Sequence, residues 1–389
     1  MKRRGALLGG LALAIAAAVR RASAGTGSKE EGSTDPCSAP PSYADPAPLG
    51  VGVESARALA GGYGEGQYFI DVEQGWTLTH DSLLAHRIGA PLAGVIDDRS
   101  RPHGTAVLGI VCGSNPGGYS GLAPRVASVH VSSTSASLRS GIAAAIDKLV
   151  ALGAAQREGG GGVLLLETQA RLMTPQGGMG HLPAEALPQL FDLIASATRR
   201  GITVIEAAGN GRDTGSVSQG IDLDEFKDES GEAFLRRDSS RGDSGAIIVG
   251  AARAAVVGGR HQRITSSNFG SRIDCYAWGE LVTAPASTSR APFAHSGCVA
   301  DFGETSAAAA IVAGVALIVQ GVVAAARPGL RMPPLQLREI LSHRDLGTAC
   351  AGSKGTIGVM PDLARILDAS VLGITPVRRA KRSQAGESG

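Results

Sequence analysis

Residues 183–210 read PAEALPQLFDLIASATRRGITVIEAAGN and contain the clearest fold signal in the chain. The spacing of apolar residues over Pro183–Arg200 predicts a helix, and Gly201 is a typical stop after a last helical turn. Ile202–Ile205 follows at once, and such a short apolar run rich in β-branched residues predicts a buried strand. A helix that leads through glycine into a buried strand is the repeating unit of an α/β sheet.

The same alternation extends to both sides of this segment. Further strands are predicted at Tyr68–Asp71, Leu92–Ile96, Val126–Val131, Val163–Leu166, Ala246–Val249 and Ile273–Ala277. Further helices are predicted at Leu138–Leu152 and Thr305–Ala326. Continuous apolar strands separated by helices favour a parallel sheet that is covered on both faces. The fold class is therefore α/β, with a mainly parallel central sheet flanked by helices.

Composition and charge exclude several classes of function. Hydrophobic residues make up 43% of the 389 residues but aromatic residues only 4%, so the core must be aliphatic. This composition does not suit the aromatic platforms that stack single-stranded nucleic acid. The 37 basic and 35 acidic residues give a net charge of +2, which provides no electrostatic basis for a nucleic-acid or anionic-membrane partner.

The N-terminus has the pattern of a targeting segment. Lys2–Arg4 is basic, Ala6–Val19 is apolar, and Ala22–Ala24 fits a small-residue cleavage site. The apolar run is short for a membrane span. We therefore assign residues 1–24 to a signal peptide and expect a secreted or periplasmic (extracytoplasmic) protein, with no stable membrane insertion after signal removal. A weak membrane anchor and a twin-arginine signal are the alternatives.

Composition also places the domain boundaries. Residues 25–49 are rich in Pro, Ser and Gly, which is typical of a flexible linker. Residues 373–389 are polar and carry a short basic run, which indicates a disordered basic tail. One α/β domain is left at residues 50–372, and we expect the protein to be a monomer.

Five cysteines constrain the redox chemistry; they are Cys37, Cys112, Cys275, Cys298 and Cys350. Export permits disulfides, and the odd number leaves at least one free thiol or an intermolecular link. Cys298 with Cys350 is the pairing we favour, although sequence alone leaves the connectivity open. Because the chain has no C-x-x-C pair, a zinc or thioredoxin-like site is disfavoured.

Four polar residues lie at the ends of predicted elements, in the order Asp71, His103, Asn210 and Ser306. Each has a structural explanation when taken alone: a turn or cap aspartate, a surface histidine, an Asn-Gly turn and a helix cap. Together they supply the roles that nucleophilic acyl transfer needs. These roles are a nucleophile, a base, an acid that orients the base, and a donor for the oxyanion.

The segments around these residues resemble those of the subtilisin-like serine peptidases, the subtilases. The matching segments are His103–Gly109 for the histidine motif, Ala207–Asn210 for the oxyanion motif, Thr305–Ala308 with Ile311–Gly314 for the serine motif, Tyr68–Asp71 for the aspartate strand, and the supporting stretches Asp243–Gly250 and Ser267–Asp274. The resemblance implies a three-layer subtilisin-like fold for the peptidase domain, residues 50–372.

The resemblance also implies a role for each residue. Ser306 would attack the scissile carbonyl, His103 would take and return its proton, and Asp71 would orient His103. The Asn210 side chain and the Ser306 backbone N–H would bind the oxyanion. The implied function is that of an exported serine endopeptidase that hydrolyses protein or peptide substrates through an acyl-enzyme. No cofactor is expected to be required for catalysis, and a structural Ca²⁺ site is left open.

Three departures from the family pattern keep other functions open. Glu304 stands where relatives have Gly, Val72 and Glu73 replace a small residue and Gly after the aspartate, and Leu166–Gln169 replaces the usual Ser-Leu-Gly-Gly strand. Glu304 either adds charge and bulk near the oxyanion or points away and stabilises its helix. The alternatives are a catalytically impaired binding protein on a subtilase scaffold, and an esterase or peptide ligase that uses the same triad.

Overall fold

The structure, a computed structural model, describes residues 37, 41–115, 118–154, 161–174, 177–215, 217–227, 231–285, 294–352 and 355–379. These residues all belong to one unit, Asp35–Gly389. The assigned signal peptide, residues 1–24, lies outside the described residues.

Strands and helices alternate along most of the described chain. The strands are β1 (Tyr68–Glu73), β2 (Ser128–Ser133), β3 (Gly162–Leu166), β4 (Ala170–Met173), β5 (Met179–Leu182), β6 (Thr203–Ala207), β7 (Gly211–Asp213), β8 (Ser218–Gln219), β9 (Ile247–Val257), β10 (Arg260–Arg263), β11 (Cys275–Trp278), β12 (Val282–Pro285), β13 (Cys298–Phe302), β14 (Gly347–Ala351) and β15 (Val359–Pro361). The α-helices are α1 (Glu54–Arg57), α2 (Arg101–Cys112), α3 (Leu138–Ala151), α4 (Pro188–Arg199), α5 (Glu304–Ala326), α6 (Pro334–Ser342), α7 (Leu363–Ile366) and α8 (Ala369–Leu372).

A nine-stranded sheet forms the centre, in the order β10-β14-β15-β11-β9-β6-β3-β1-β2. The run from β15 to β2 is parallel throughout. Among the described residues of this sheet, antiparallel pairs occur only where β14 meets β15 and β10 meets β9. Every residue of β3 and β6 is buried, so both faces of the sheet are covered. The predicted mainly parallel sheet is confirmed.

Helices cover the two faces of this sheet. Helices α3 and α4 pack on each other and on β1, β2, β3 and β6, whereas α5 packs on α2 and on β3, β6, β9 and β11. Helix α5 is long and apolar enough to cross a membrane, but 94% of its most apolar window is buried inside the protein. This helix therefore belongs to the interior, and the architecture is the three-layer α/β arrangement that the sequence predicts.

Two predicted elements differ from the structure. Leu92–Ile96 is not a strand, because Gly94 adopts a positive φ of 64° and turns the chain after only two backbone contacts with the edge strand β2. The predicted helix Pro183–Arg200 is interrupted, and α4 begins at Pro188. The residue before a proline is forced out of the helical region, which explains the break at Leu187.

The ordered chain is wider than the predicted boundaries 50–372. Within the predicted linker, Tyr43 is 1% exposed and the Trp278 indole N–H donates to Leu49 O at 2.7 Å. Within the predicted tail, Arg379 Nε donates to Leu59 O at 3.1 Å. Residues 41–49 and 373–379 are thus packed on the domain. The composition of these segments does not reveal this packing, because Tyr43 and Arg379 stand among polar neighbours in the sequence.

One disulfide links distant parts of the chain. It joins Cys37 to Cys298 across 261 residues, so the favoured pairing of Cys298 with Cys350 is wrong. Cys350 is a free, half-buried thiol, and Cys112 and Cys275 are free and buried. The disulfide links Cys37 to the first residue of β13, and the last residue of this strand, Phe302, contacts the candidate site described below.

Replacing Cys37 by serine is expected to lower the free energy of unfolding by about 2–5 kcal/mol, because a long loop of the unfolded chain is no longer closed. Denaturant unfolding followed by circular dichroism measures this loss. Cys350→Ser is the matched control and is expected to change stability by less than about 1 kcal/mol. Equal unfolding midpoints for the two variants would contradict the expectation.

Candidate active site

The centre of the site is a hydrogen bond between a histidine and a glutamate. His103, near the start of α2, places its Nδ1 2.8 Å from Oε2 of Glu73, the last residue of β1. The carboxyl of Glu73 is buried, whereas about a third of the His103 side chain is exposed, at 34%. The Phe302 and His103 rings pack in a T-shaped arrangement with their centroids 5.3 Å apart. The histidine is thus oriented on one nitrogen by a carboxylate and on its flank by an aromatic ring.

The carboxyl that contacts His103 differs from the sequence-based expectation, since Glu73 and not Asp71 meets its Nδ1. Strand β1 continues two residues beyond the predicted end at Asp71. Asp71 is paired with both β2 and β3, while Glu73 lies beyond the last register pair with β3 and therefore reaches the open carboxyl end of the sheet. Glu73 also has one more methylene group with which to reach the histidine.

Two close backbone contacts bring α2 to the end of β1. A Cβ on Gly75 would lie 2.1 Å from Asp97 O, and a Cβ on Gly104 would lie 2.4 Å from Gly75 O. Glycine is therefore required at both places for the chains to approach. The family pattern has an acid, a small residue and Gly in succession, and Asp71 is not followed by Gly at the second position. Glu73 is, because Gly75 lies two residues after it. This acid-x-Gly spacing is the sequence signal that identifies Glu73.

Ser306 lies in the first turn of α5, where helix N–H groups have no partner within the helix. Its neighbour Thr305 donates to Asn210 Oδ1 from both its backbone N–H, at 3.2 Å, and its hydroxyl. These two bonds fix the oxygen end of the Asn210 amide, so its NH₂ end points away from Thr305. The sequence-predicted residues Asn210 and Ser306 are thus brought together.

Asn210 is placed by the backbone at the end of β6. Gly209 has φ +97°, and a Cβ there would lie 2.2 Å from His181 O. The Asn268 side chain donates to Ala208 O and His181 O at 2.7 Å each, and these two bonds stabilise the turn. Asn268 belongs to one of the supporting stretches of the resemblance, and its role is to fix the backbone that presents Asn210.

Glu304 adopts a backbone conformation that favours glycine. Its φ is +63°, in the left-handed region that costs a non-glycine residue about 1–3 kcal/mol. The side chain accepts a hydrogen bond from the Ser266 hydroxyl. Burial raises the pKa of the Glu304 carboxyl, and the Ser266 bond opposes this rise. Ser266 thus holds Glu304 in the first turn of α5, where the helix dipole stabilises a negative charge.

A third carboxyl, that of Glu167, lies beside Ser306. Glu167 follows β3 directly, is 6% exposed and faces both Ser306 and His103. Burial raises its pKa well above the usual value, and the facing carboxyls of Glu73 and Asp71 raise it further. His103 and Ser306 oppose this rise, but burial is the largest cause and favours the neutral form of the side chain. In the sequence, Glu167 is part of the Leu166–Gln169 stretch, which departs from the family pattern but indicates no role for this residue.

Ser306 and His103 both face Glu167, but among the described hydrogen bonds none joins Ser306 Oγ to His103 Nε2. In unliganded enzymes such catalytic bonds are often long and tighten when substrate binds. Within the described ranges, no group of three or more His, Cys, Asp or Glu side chains is arranged to hold a metal ion. The arrangement fits acyl transfer by side chains.

Comparison with known proteins identifies the family. The sequence matches the subtilase family over residues 86–358, more than half of the chain, and this range includes His103, Asn210 and Ser306. No match was found among curated proteins.

Two solved structures resemble the chain. One, named S41 psychrophilic protease, superposes with a TM-score of 0.52 at 17% identity, over 77% of this chain and 92% of that protein. The other, a cold-adapted subtilisin-like serine proteinase, has a TM-score of 0.49 at 20% identity, over 79% of this chain and 91% of its own. The first superposition confirms the fold. On its family match, the chain belongs to the subtilases and is a serine-type endopeptidase.

Proposed function

We propose that this subtilase is exported and hydrolyses peptide bonds through an acyl-enzyme with a Glu73–His103–Ser306 triad. The observation that carries the proposal is the 2.8 Å contact between His103 Nδ1 and Glu73, at the sheet edge where α5 presents Ser306. The carboxylate holds the histidine in the tautomer that leaves Nε2 free to act as a base, and it stabilises the imidazolium that forms.

The reaction then follows from this geometry. Ser306 Oγ attacks the scissile carbonyl while His103 takes its proton, and the tetrahedral intermediate forms. His103 returns the proton to the leaving amine, which departs and leaves an acyl group on Ser306. Water attacks this ester while His103 takes a proton from it. His103 then returns that proton to Ser306 Oγ as the C–Oγ bond breaks and the carboxylic acid product leaves. Side chains, the Ser306 backbone N–H and water supply every group that these reaction steps need, so the proposed mechanism uses no cofactor.

The oxyanion would be bound by two donors, the Asn210 NH₂ group and the Ser306 backbone N–H. Asn210 is suited to this because Thr305 occupies its oxygen, and Ser306 is suited because its N–H lies in the first helical turn. The N-terminal end of α5 adds a positive dipole at the same place. Donors fixed before the reaction stabilise the developing charge without reorganisation.

Replacing Asn210 by alanine is expected to lower kcat by about 10²–10³-fold and to leave KM nearly unchanged, because the donor acts on the transition state. Steady-state hydrolysis of a chromogenic peptide measures both constants. Thr305→Val is the matched control. It keeps the shape and the backbone donor to Asn210 but removes the hydroxyl donor, and it is expected to have a smaller effect. An unchanged kcat in Asn210→Ala would exclude this residue as an oxyanion donor.

Export is supported by two observations. The segment 1–24 has the basic, apolar and small-residue regions of a signal peptide, and the Cys37–Cys298 disulfide suits an oxidising compartment. Sequencing the N-terminus of the protein recovered from the medium or periplasm tests this. A start at Gly25 supports cleavage after Ala24, whereas an intact Met1 on a membrane-bound protein would favour the anchor.

Casein and a peptide ester, each with and without an added amine, distinguish the acyl-transfer functions. We expect casein hydrolysis, since family members act on peptide bonds. Cleavage of the ester alone would indicate an esterase, and transfer to the amine as the main product would indicate a ligase. Failure of folded protein to cleave either substrate would favour the binding protein on a subtilase scaffold.

A further inference from the structure

Two neighbouring carboxyl groups in the site each have one oxygen with no donor. Asp71 and Glu73 are two residues apart on β1, so their side chains lie on the same face of the strand. Asp71 Oδ2 accepts from the Trp76 indole N–H at 2.7 Å, and Glu73 Oε2 faces His103 Nδ1 at 2.8 Å. The other oxygens, Asp71 Oδ1 and Glu73 Oε1, are buried and, among the described residues, meet no donor.

Two buried carboxylates side by side are strongly disfavoured, because each charge loses its hydration and repels the other. The two groups are within hydrogen-bonding reach of each other. One proton placed between the two unpartnered oxygens removes the repulsion and satisfies both atoms. A pair of one neutral acid and one carboxylate therefore fits this geometry.

The surroundings decide which group keeps the proton. Glu73 faces His103, which becomes a cation during the reaction, whereas Asp71 faces the neutral indole of Trp76. Burial raises the pKa of both carboxyls. The charge of Glu73 raises the pKa of Asp71 further, while the hydrogen bond from Asp71 opposes the rise at Glu73.

The remaining titratable groups that face Asp71 do not reverse this order. On α2, the Cys112 thiol is buried and its pKa is raised, so it is neutral. After β3, Glu167 is a buried acid with a raised pKa. Two groups favour a negative charge on Asp71: the Trp76 indole N–H, which donates to Oδ2, and His103, which contacts Glu73 directly.

We propose that Asp71 is a positioning residue that stays protonated and donates its Oδ1 proton to Glu73 Oε1. The inference rests on the proposed role of Glu73 as the acid of the triad. Trp76 fixes one end of the Asp71 carboxyl, and the other end holds Glu73 in the orientation that meets His103. Asp71 touches neither substrate nor the reacting atoms. It acts by keeping Glu73 ionised and in place.

The test uses an amide as a mimic of a protonated acid. In Asp71→Asn the amide oxygen accepts from Trp76 and the NH₂ group donates to Glu73, so kcat/KM is expected to stay within about tenfold of the wild type. Asp71→Leu has a similar shape but no donor. It is expected to lower kcat/KM by about 10- to 100-fold, the loss typical of a hydrogen bond to a charged group. The acid limb of its pH profile is expected to move to higher pH, because Glu73 without its donor holds its proton more tightly.

Infrared spectroscopy gives a second, activity-independent measurement. In the Ser306→Ala background at neutral pH, the difference spectrum against Asp71→Asn is expected to contain a protonated-carboxyl stretch that belongs to Asp71. This measurement also serves if Asp71→Leu fails to fold. A carboxylate band in its place, or an Asp71→Asn variant as inactive as Asp71→Leu, would overturn the proposal. Loss of activity in Glu73→Gln would still stand in that case, so the two failures are distinguishable.

Discussion

Ser306→Ala is expected to reduce peptide-bond hydrolysis on the order of 10⁶-fold, to the background left by binding and the oxyanion donors. The variant loses only the hydroxyl, and Ser306 is 3% exposed in a helix whose first turn is otherwise retained. Release of fluorescent fragments from labelled casein measures the loss. Circular dichroism and the unfolding midpoint are expected to match those of the wild type.

The matched control for this prediction is Ser266→Ala. Ser266 is also a buried serine close to the start of α5, but its hydroxyl binds Glu304 and takes no part in acyl transfer. This variant is expected to keep most of its activity. Equal activity of Ser306→Ala and the wild type would show that another residue is the nucleophile.

Glu73→Gln is expected to lower kcat on the order of 10⁴-fold, because an amide can donate to His103 Nδ1 and so favours the tautomer with its proton on Nε2. The glutamine has the size of the glutamate and is expected to leave the fold intact. Peptide hydrolysis over a range of pH measures the loss. Glu73→Asp retains the charge on a shorter side chain and is expected to be more active than Glu73→Gln.

Asp71→Asn is the matched amide substitution two residues earlier on β1. If Asp71 were the acid that orients His103, the order would reverse, and Asp71→Asn would be the inactive variant. The pair therefore decides between the acid that the sequence suggests and the acid that contacts His103 in the structure.

Much of the fold and most of the site could be predicted from the sequence. The apolar strands and helices follow from burial on both faces of the sheet, as at Val163–Leu166 and Thr305–Ala326, where the length of the apolar run separates a strand from a helix. His103, Asn210 and Ser306 lie at element ends because the carboxyl edge of a parallel sheet collects polar side chains. The structure places all three in the same region of the fold.

What the sequence did not reveal depends on side-chain direction and long-range contact. Asp71 and Glu73 have the same chemistry and lie on the same strand face. The spacing of Glu73 to Gly75 is the one sequence signal that separates them, and the register against β3 shows that Glu73 reaches the edge. The Cys37–Cys298 pairing joins residues 261 apart, and no local pattern encodes such a contact. The folded tail at Arg379 likewise depends on partners at Leu59 and Glu65 that sequence composition cannot indicate.

The most direct test of the proposed serine chemistry is labelling of the purified wild type by a fluorophosphonate probe, with Ser306→Ala, His103→Ala and Glu73→Gln in parallel. The expected result is a covalent adduct mapped to Ser306 in the wild type. The adduct should be lost in Ser306→Ala and His103→Ala and form much more slowly in Glu73→Gln. Failure of the folded wild type to react, or labelling that persists in Ser306→Ala, would contradict it.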